Sequence, residues 1–142
     1  MSARFTVTFD AADPFSLGEF WALALGYVRE APPPPHGTWE EALTAWGLPE
    51  ENWNDANAIV DPEGAGPRIF LQKVPEPKTA KNRVHLDVRV STDRANKDHA
   101  AMQARADELV AAGATQISVF DDPVSGHWIV MTDPEGNEFC IV

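Results

Sequence analysis

The sequence of 142 residues predicts an α+β fold made of two tandem βαβββ modules. Strand-like alternation, a helical stretch and further strand-like segments follow one another in the same order in both halves of the chain. The tetrapeptide Asp-Pro-Glu-Gly occurs at Asp61–Gly64 and again at Asp133–Gly136, 72 positions later and at the same place in that order. A turn sequence that recurs in register with its neighbouring elements indicates an internal repeat.

The composition is that of one acidic domain, with 22 acidic against 11 basic residues and a net charge of -11. Such a charge repels phosphate backbones, so we expect no nucleic-acid partner. The single cysteine, Cys140, and the lack of a leader before Phe5 predict a cytoplasmic protein. The longest apolar stretch, Phe20–Val28, has nine residues, whereas a bilayer span takes about 20, so we expect no membrane association.

The first module opens with a predicted strand and a predicted helix. Residues 4–10 alternate apolar and polar side chains, as a half-buried strand does. Asp13 and Pro14 then supply a capping carboxylate and a proline at the first helical position. The apolar side chains that follow at intervals of three and four residues predict an amphipathic helix ending at Gly26.

A segment inserted at about residues 32–56 interrupts the first module. Its four consecutive prolines break regular structure, and Thr38 with Glu41 predicts a capping box for a short helix. Beyond it, residues 58–61 and 68–74 are predicted to be strands joined by the first Asp-Pro-Glu-Gly turn.

The second module repeats this order. Alternation over residues 83–90 predicts a strand, and residues 91–93, Ser-Thr-Asp, predict the cap of a helix that ends at Gly113. Three further strands are predicted at residues 115–120, 127–132 and 137–142.

Several stretches of the sequence together resemble a known family. They are Asp13-Pro14 with Phe20-Trp21 and Leu25-Gly26, Val74 to Glu76, Lys81 to Asp87, Asp133 to Cys140, and the segment around Leu48 to Glu50 with Trp53. This combination resembles the glyoxalase-like branch of the vicinal oxygen chelate superfamily, which includes glyoxalase I, extradiol dioxygenases and bleomycin-resistance proteins.

The resemblance covers essentially the whole chain and implies one domain over residues 1–142. Within it, module one covers about residues 3–75 and module two about residues 82–142. The family fold implies that the two sheets curl into a pair of half-barrels around a cavity. Because paired subunits are common in this superfamily, the resemblance also implies a homodimer.

Metal-dependent relatives place ligands at up to four positions, which match Thr6, Arg68, His85 and Glu138 here. Strand alternation puts these four on the side away from the core. Enzyme sites for zinc and similar ions generally use three ligands from histidine, carboxylate or thiolate, and this quartet supplies two. His85 and Glu138 are therefore the metal candidates among the four, with Asp87, Asp10 or His127 as ligands that could be recruited, and we expect Arg68 to pair with Glu138. No cofactor is expected, and a divalent metal is the alternative.

Tryptophan usage suggests a lid. Three of the five tryptophans, Trp39, Trp46 and Trp53, lie in the inserted segment, where they either cover a ligand site or simply pack the insert onto the domain. His127 is interpreted as a surface residue or a substrate contact, and His36 and His99 as having no partner at ligand spacing. The predicted ligand-binding residues are Arg68, Phe70, His85, Trp128, Glu138, Cys140 and Trp53.

Three functions stay open at this point. The favoured one is a small-molecule-binding protein of the bleomycin-resistance type without a complete metal site. The second is an enzyme of the lyase, isomerase or dioxygenase type that uses His85 and Glu138 as metal ligands or as an acid and base. The third is a structural or interaction module. Nine of the eleven basic residues lie between Arg68 and Arg105, so the ligand is expected to be anionic or to carry a carbonyl group.

Overall fold

The computed structural model describes residues Met1 to Val142 and divides them into two compact units, Met1–Glu76 and Pro77–Val142. We call these module 1 and module 2 and describe each by itself. Each contains one four-stranded sheet. The predicted α+β class with two modules is confirmed.

In module 1 the last strand lies inside the sheet and the first strand lies at its edge, in the order β1-β4-β3-β2. Strands β1 and β4 pair in parallel, and the other pairs are antiparallel. The elements are β1 (Thr6–Ala11), α1 (Pro14–Leu25), β2 (Val28–Arg29), α2 (Trp39–Ala45), a 3-10 turn (Glu50–Asn52), β3 (Ala56–Val60) and β4 (Arg68–Lys73).

Helix α1 begins and ends where the sequence predicts. The Asp13 side chain accepts a hydrogen bond from the Ser16 amide at 3.1 Å, and Gly26 closes the helix in the left-handed conformation with φ +70°. The helix buries Leu17 and Trp21. The Trp21 ring meets Phe9 of β1 edge-on, with centroids 5.3 Å apart, which anchors the helix to one face of the sheet.

Strand β2 is the element of module 1 that the alternation pattern does not reveal. It is two residues long, and both of its side chains are exposed. So short a segment cannot show a period of two, and its strand character comes from the antiparallel pairing of Val28 with Val60 and of Arg29 with Ile59.

Module 2 has the same topology, with its strands in the order β5-β8-β7-β6 and with β5 and β8 parallel. The internal repeat is thus present in strand order and strand direction as well as in the turn sequence. The elements are β5 (Asp87–Val88), α3 (His99–Ala111), β6 (Thr115–Asp122), β7 (Gly126–Thr132) and β8 (Glu138–Ile141).

Two elements of module 2 depart most from the prediction, while the bounds of the other three shift by two residues or less. The strand expected over residues 83–90 is reduced to Asp87–Val88, and the helix expected to start after residues 91–93 starts after Asp98. Asp98 caps it by accepting from the Ala101 amide at 2.9 Å, while the Ser91 hydroxyl accepts from the Asp98 amide at 3.0 Å. Ser91 therefore holds the loop before the helix instead of starting the helix itself.

No helix in either module combines the length and the apolar character that crossing a bilayer requires.

The two Asp-Pro-Glu-Gly turns use their aspartates in the same way. The Asp61 carboxylate accepts from the amides of Glu63, Ala65 and Gly66, and these donors hold its pKa below the usual value. The Asp133 carboxylate accepts from the amides of Glu135 at 2.9 Å and Asn137 at 3.0 Å. Each aspartate thereby fixes the connection that leads into the last strand of its module.

Replacing Asp133 by alanine is expected to destabilise the protein by about 1–3 kcal/mol, because it leaves part-buried amide donors without an acceptor. Asp133 is only 3% exposed, so water cannot readily replace the lost carboxylate. Urea unfolding monitored by circular dichroism measures the change. The equivalent variant Asp61→Ala is the matched control and should lose less stability, since Asp61 is partly exposed. An equal or greater loss for Asp61→Ala would contradict this account.

Candidate functional site

Each sheet has one face covered by its helix and one face turned away from it, which we call the helix-free face. In module 1 alternation along β4 buries Ile69 and Leu71 and leaves Arg68 and Phe70 on the helix-free face. In module 2 the same alternation along β8 buries Phe139 and Ile141 and leaves Glu138 and Cys140 on that face.

The strand register relates the four family positions to one another. In module 1 Thr6 lies directly opposite Arg68. In module 2 Asp87 lies opposite Cys140, and His85 and Glu138 each precede one member of this pair by two residues. Strand β5 begins only at Asp87, so His85 lies in the segment that leads into it.

Arg68 is held by an acid of its own module. Its Nε atom donates to Glu30 Oε2 at 2.6 Å, and a terminal nitrogen donates to Glu30 Oε1 at 2.8 Å. These bonds lower the pKa of Glu30 and raise that of Arg68. The guanidinium also lies over the Phe70 ring, 5.4 Å from its centroid. The structure thus pairs Arg68 with Glu30, whereas the sequence predicted Glu138 as its partner. Glu30 was missed because it lies outside every motif in the sequence and follows the short strand β2.

Glu138 is also occupied by donors of its own module. It accepts from the Asn82 amide at 2.9 Å, and Lys78 Nζ lies 3.3 Å from its Oε2 atom. The Asn82 bond is the main cause that lowers the pKa of Glu138 from 4.5 to about 2, and Lys78 adds to it. Glu138 is thus a fixed carboxylate whose oxygens already have partners.

His85 lies next to Asp87 and Cys140. The His85 Nε2 atom is 3.3 Å from Asp87 Oδ1, and one ligand atom from each of the three residues lies within 4.8 Å of the others. Burial of Cys140, aided by the negative charge of Asp87, raises the pKa of the thiol. The thiol is therefore mainly protonated near neutral pH, which makes it a weak nucleophile and a reluctant metal ligand.

The four family positions do not fit the usual three-ligand metal site. Thr6 offers only a neutral hydroxyl, and Arg68 is a cation already bound to Glu30. Glu138 would have to give up Asn82 and Lys78 to bind an ion. His85 has the ligand-type neighbours Asp87 and Cys140, but Cys140 would first have to lose a proton.

Trp53 lies in a separate cleft of module 1 and not with Arg68 and Phe70. Its indole Nε1 donates to the Leu48 carbonyl at 3.0 Å. The cleft has a volume of about 350 Å³ and is lined by α1, α2, β2 and the inserted segment. Its other notable lining residues are Phe15, Arg29 and Trp39.

Arg29 is a residue of this cleft that sequence reasoning missed. Its guanidinium lies 5.3 Å from the Phe15 ring centroid and 5.8 Å from that of Trp39. Its Nε atom donates to Asn57 Oδ1 at 3.2 Å. Trp39 in turn donates to the Glu30 carbonyl at 2.7 Å, which ties the inserted segment to the residue that binds Arg68.

In module 2, Trp128 lies on the helix-free face, because it alternates with the buried Ile129 on β7. Its ring stacks on Phe120 of β6, with centroids 5.1 Å apart and planes 11° apart. On the same face, Val130 lies opposite Cys140 in the register. Trp128 is thus an apolar wall of the surface that carries Glu138 and Cys140.

His99 and His127 form a pair, so the expectation that His99 has no partner at ligand spacing is wrong. Their ring centroids are 3.7 Å apart, with planes 13° apart. The residues are 28 positions apart in the chain, and only the packing of α3 on β7 brings them together. No local sequence signal could have shown this contact. His36 meets the Trp46 ring edge-on, at 5.9 Å between centroids.

The model of the glyoxalase-like domain family matches residues 6–142. No curated protein sequence matches the chain. Among solved structures, an enzyme of the glyoxalase/bleomycin resistance protein/dioxygenase family from Burkholderia phytofirmans PsJN shares 17% identity, with 96% of this chain and 94% of that chain covered and a TM-score of 0.63.

Two further similar structures contain bound molecules. The bleomycin-binding protein from Streptomyces verticillus, complexed with copper(II)-bleomycin, shares 15% identity, with 100% of this chain and 96% of that chain covered and a TM-score of 0.54. The fosfomycin resistance protein FosX from Listeria monocytogenes, complexed with Mn(II), shares 10% identity, with 99% and 89% covered and a TM-score of 0.64. At these identities the likeness shows a shared fold.

The lowered pKa of Glu138 predicts a stability change in acid. Because the folded-state pKa is about 2 and the ordinary value is 4.5, this carboxylate stabilises the fold above pH 4.5, and the contribution disappears as the pH falls towards 2. The variant Glu138→Gln should therefore lose less stability than the wild type between pH 6 and pH 3. Urea unfolding at both values tests this, and equal losses in the two proteins would contradict it.

Proposed function

The chain belongs to the family of glyoxalase-like domains, and from this premise we propose that it is a small-molecule-binding protein that works without a complete metal site. The observation that supports this proposal is that the side chains of Arg68 and Glu138 are already bound by other residues of their own modules. At these two family positions the side chains are held by Glu30 in one module and by Asn82 and Lys78 in the other.

We assign the ligand contacts to the helix-free face of each module. Module 1 offers the Arg68 guanidinium and the Phe70 ring beneath it, and module 2 offers a histidine, a carboxylate, a thiol and an indole. Such a mixture of a few polar groups and apolar walls is typical of small-molecule sites. The proposed contacts are Arg68 and Phe70 in module 1 and His85, Trp128, Glu138 and Cys140 in module 2.

The ion pairs change the expected chemistry of the ligand. The sequence favours an anionic ligand because basic residues cluster after Arg68. In the structure, Arg68 is neutralised by Glu30, and Lys78 is paired with Glu138. A polar ligand with little net charge, such as one with hydroxyl or carbonyl groups, therefore fits these faces better than a free anion, since an anion would have to compete with carboxylates already in place.

Trp53 keeps a proposed role as part of a lid. It lines the same cleft as Trp39, and Trp39 is bonded to the Glu30 carbonyl. A displacement of the inserted segment would therefore act on Glu30 and through it on Arg68.

A metal-dependent enzyme is the second candidate, and the grouping of His85 with Asp87 and Cys140 favours it. Asp87 on β5, His85 just before that strand and Cys140 on β8 bring one ligand atom each to the same place. In this alternative an ion would be bound by His85 together with Glu138 or with Asp87, and it would supply Lewis-acid chemistry.

We expect at least one compound of a small-molecule panel to bind the tag-free protein in the presence of chelator. The panel includes metal-free bleomycin and fosfomycin, and chemical-shift changes in ¹H–¹⁵N spectra measure binding. Phe70→Ala and Trp128→Ala should each weaken binding by about tenfold, since each removes an aromatic wall. Val110→Ala is the control, because Val110 is 43% exposed on helix α3 and belongs to neither helix-free face.

Binding that appears only after a divalent metal is added, and that His85→Ala abolishes, would contradict the proposal and support the metal-dependent enzyme. A panel without any binder would contradict both and support a structural role.

A further inference from the structure

The pairing of His99 with His127 lies on the helix side of the sheet in module 2. His127 has the same strand parity as the buried Ile129 and Met131, and His99 is the first residue of α3. Trp128 and Cys140 lie on the opposite face. The histidine pair therefore lies on a different face of the sheet from the ligand contacts proposed above.

A carboxylate completes this group. Asp121 on β6 lies directly opposite His127 in the antiparallel register. One ligand atom each from His99, Asp121 and His127 lies within 4.8 Å of the others. Three elements, α3, β6 and β7, thus bring two imidazoles and one carboxylate to a single point.

We propose that His99, Asp121 and His127 form a binding site for a divalent transition-metal ion. Two histidines and one carboxylate are a ligand set that suits zinc and similar ions and leaves further positions for water.

The distances fit a metal better than a direct hydrogen bond. The Nδ1 atom of His127 lies 3.7 Å from Asp121 Oδ1, which is too far for a hydrogen bond. Two ligand atoms that each lie about 2.0–2.1 Å from a zinc ion at a tetrahedral angle are about 3.4 Å apart. A small movement of Asp121, whose side chain is 73% exposed, would bring both atoms onto one ion.

The burial of His127 makes the missing hydrogen bond between its Nδ1 atom and Asp121 unfavourable. Its side chain is only 12% exposed, and its Nδ1 atom is buried without a hydrogen-bond partner. An unsatisfied buried nitrogen is unfavourable, and an ion between it and Asp121 would satisfy it. The two rings are stacked almost parallel, so His99 must turn out of the stack to direct a nitrogen at the same ion, and its exposed position leaves room for that rotation.

One neighbouring charge acts against the ion. Lys97 Nζ donates to the His127 carbonyl at 2.6 Å, so a positive charge lies close to the site. The negative charge of Asp121 offsets this positive charge. We therefore expect the site to bind a divalent ion with moderate affinity.

Titration of the tag-free, chelator-treated full chain with Zn²⁺ by calorimetry, and with Co²⁺ by visible absorption, tests the proposal. We expect one equivalent to bind. His99→Ala and Asp121→Asn, both at exposed positions that should not affect folding, should each weaken binding by about tenfold or more. His127→Ala should do the same if it folds, but the two exposed variants carry the test.

Two matched histidine controls separate this site from the others. His36→Ala, in module 1, and His85→Ala, in the group with Asp87 and Cys140, should leave the affinity unchanged. The proposal is overturned if no ion binds, if binding survives His99→Ala and Asp121→Asn unchanged, or if His85→Ala abolishes it. A Co²⁺–thiolate absorption band would also overturn it, because that band would place the ion at Cys140.

Discussion

The parallel pairing of the first and last strands is the constraint that orders the sheet of each module. In module 1 it sets Thr6 opposite Arg68, and in module 2 it sets Asp87 opposite Cys140. Parallel strands cannot be joined by a tight turn, so each module needs a long connection that includes its helix. That helix covers one face of the sheet and leaves the other for polar side chains. The inserted segment of module 1 lengthens this connection and leaves the pairing unchanged.

Local ion pairs and hydrogen bonds determine the chemistry that is open to the polar side chains on the helix-free faces. Arg68 with Glu30, and Glu138 with Lys78 and Asn82, are each complete within one module. Carboxylates held in this way have low pKa values and keep their charge over the whole physiological pH range. They are poor general acids, and they would bind a metal only at the cost of existing hydrogen bonds. These properties of the two carboxylates support the proposed binding role.

The sequence was sufficient where a short motif determines a local structure. Asp13 with Gly26, and the two Asp-Pro-Glu-Gly turns, have the capping and turn roles expected of them. It was insufficient where a role depends on distant packing. Strand β2 is too short for periodicity, and without it Glu30 has no visible link to Arg68. His99 and His127 come into contact only because a helix packs on a sheet, so their spacing in the sequence could not predict the pair.

The most direct test of the central claim is anomalous diffraction at the zinc edge from crystals grown with Zn²⁺. We predict that Arg68 stays bound to Glu30, that Glu138 stays bound to Asn82 and Lys78, and that no anomalous peak lies within bonding distance of Glu138 or His85. A peak coordinated by either residue, with Glu138 turned away from its present donors, would contradict it.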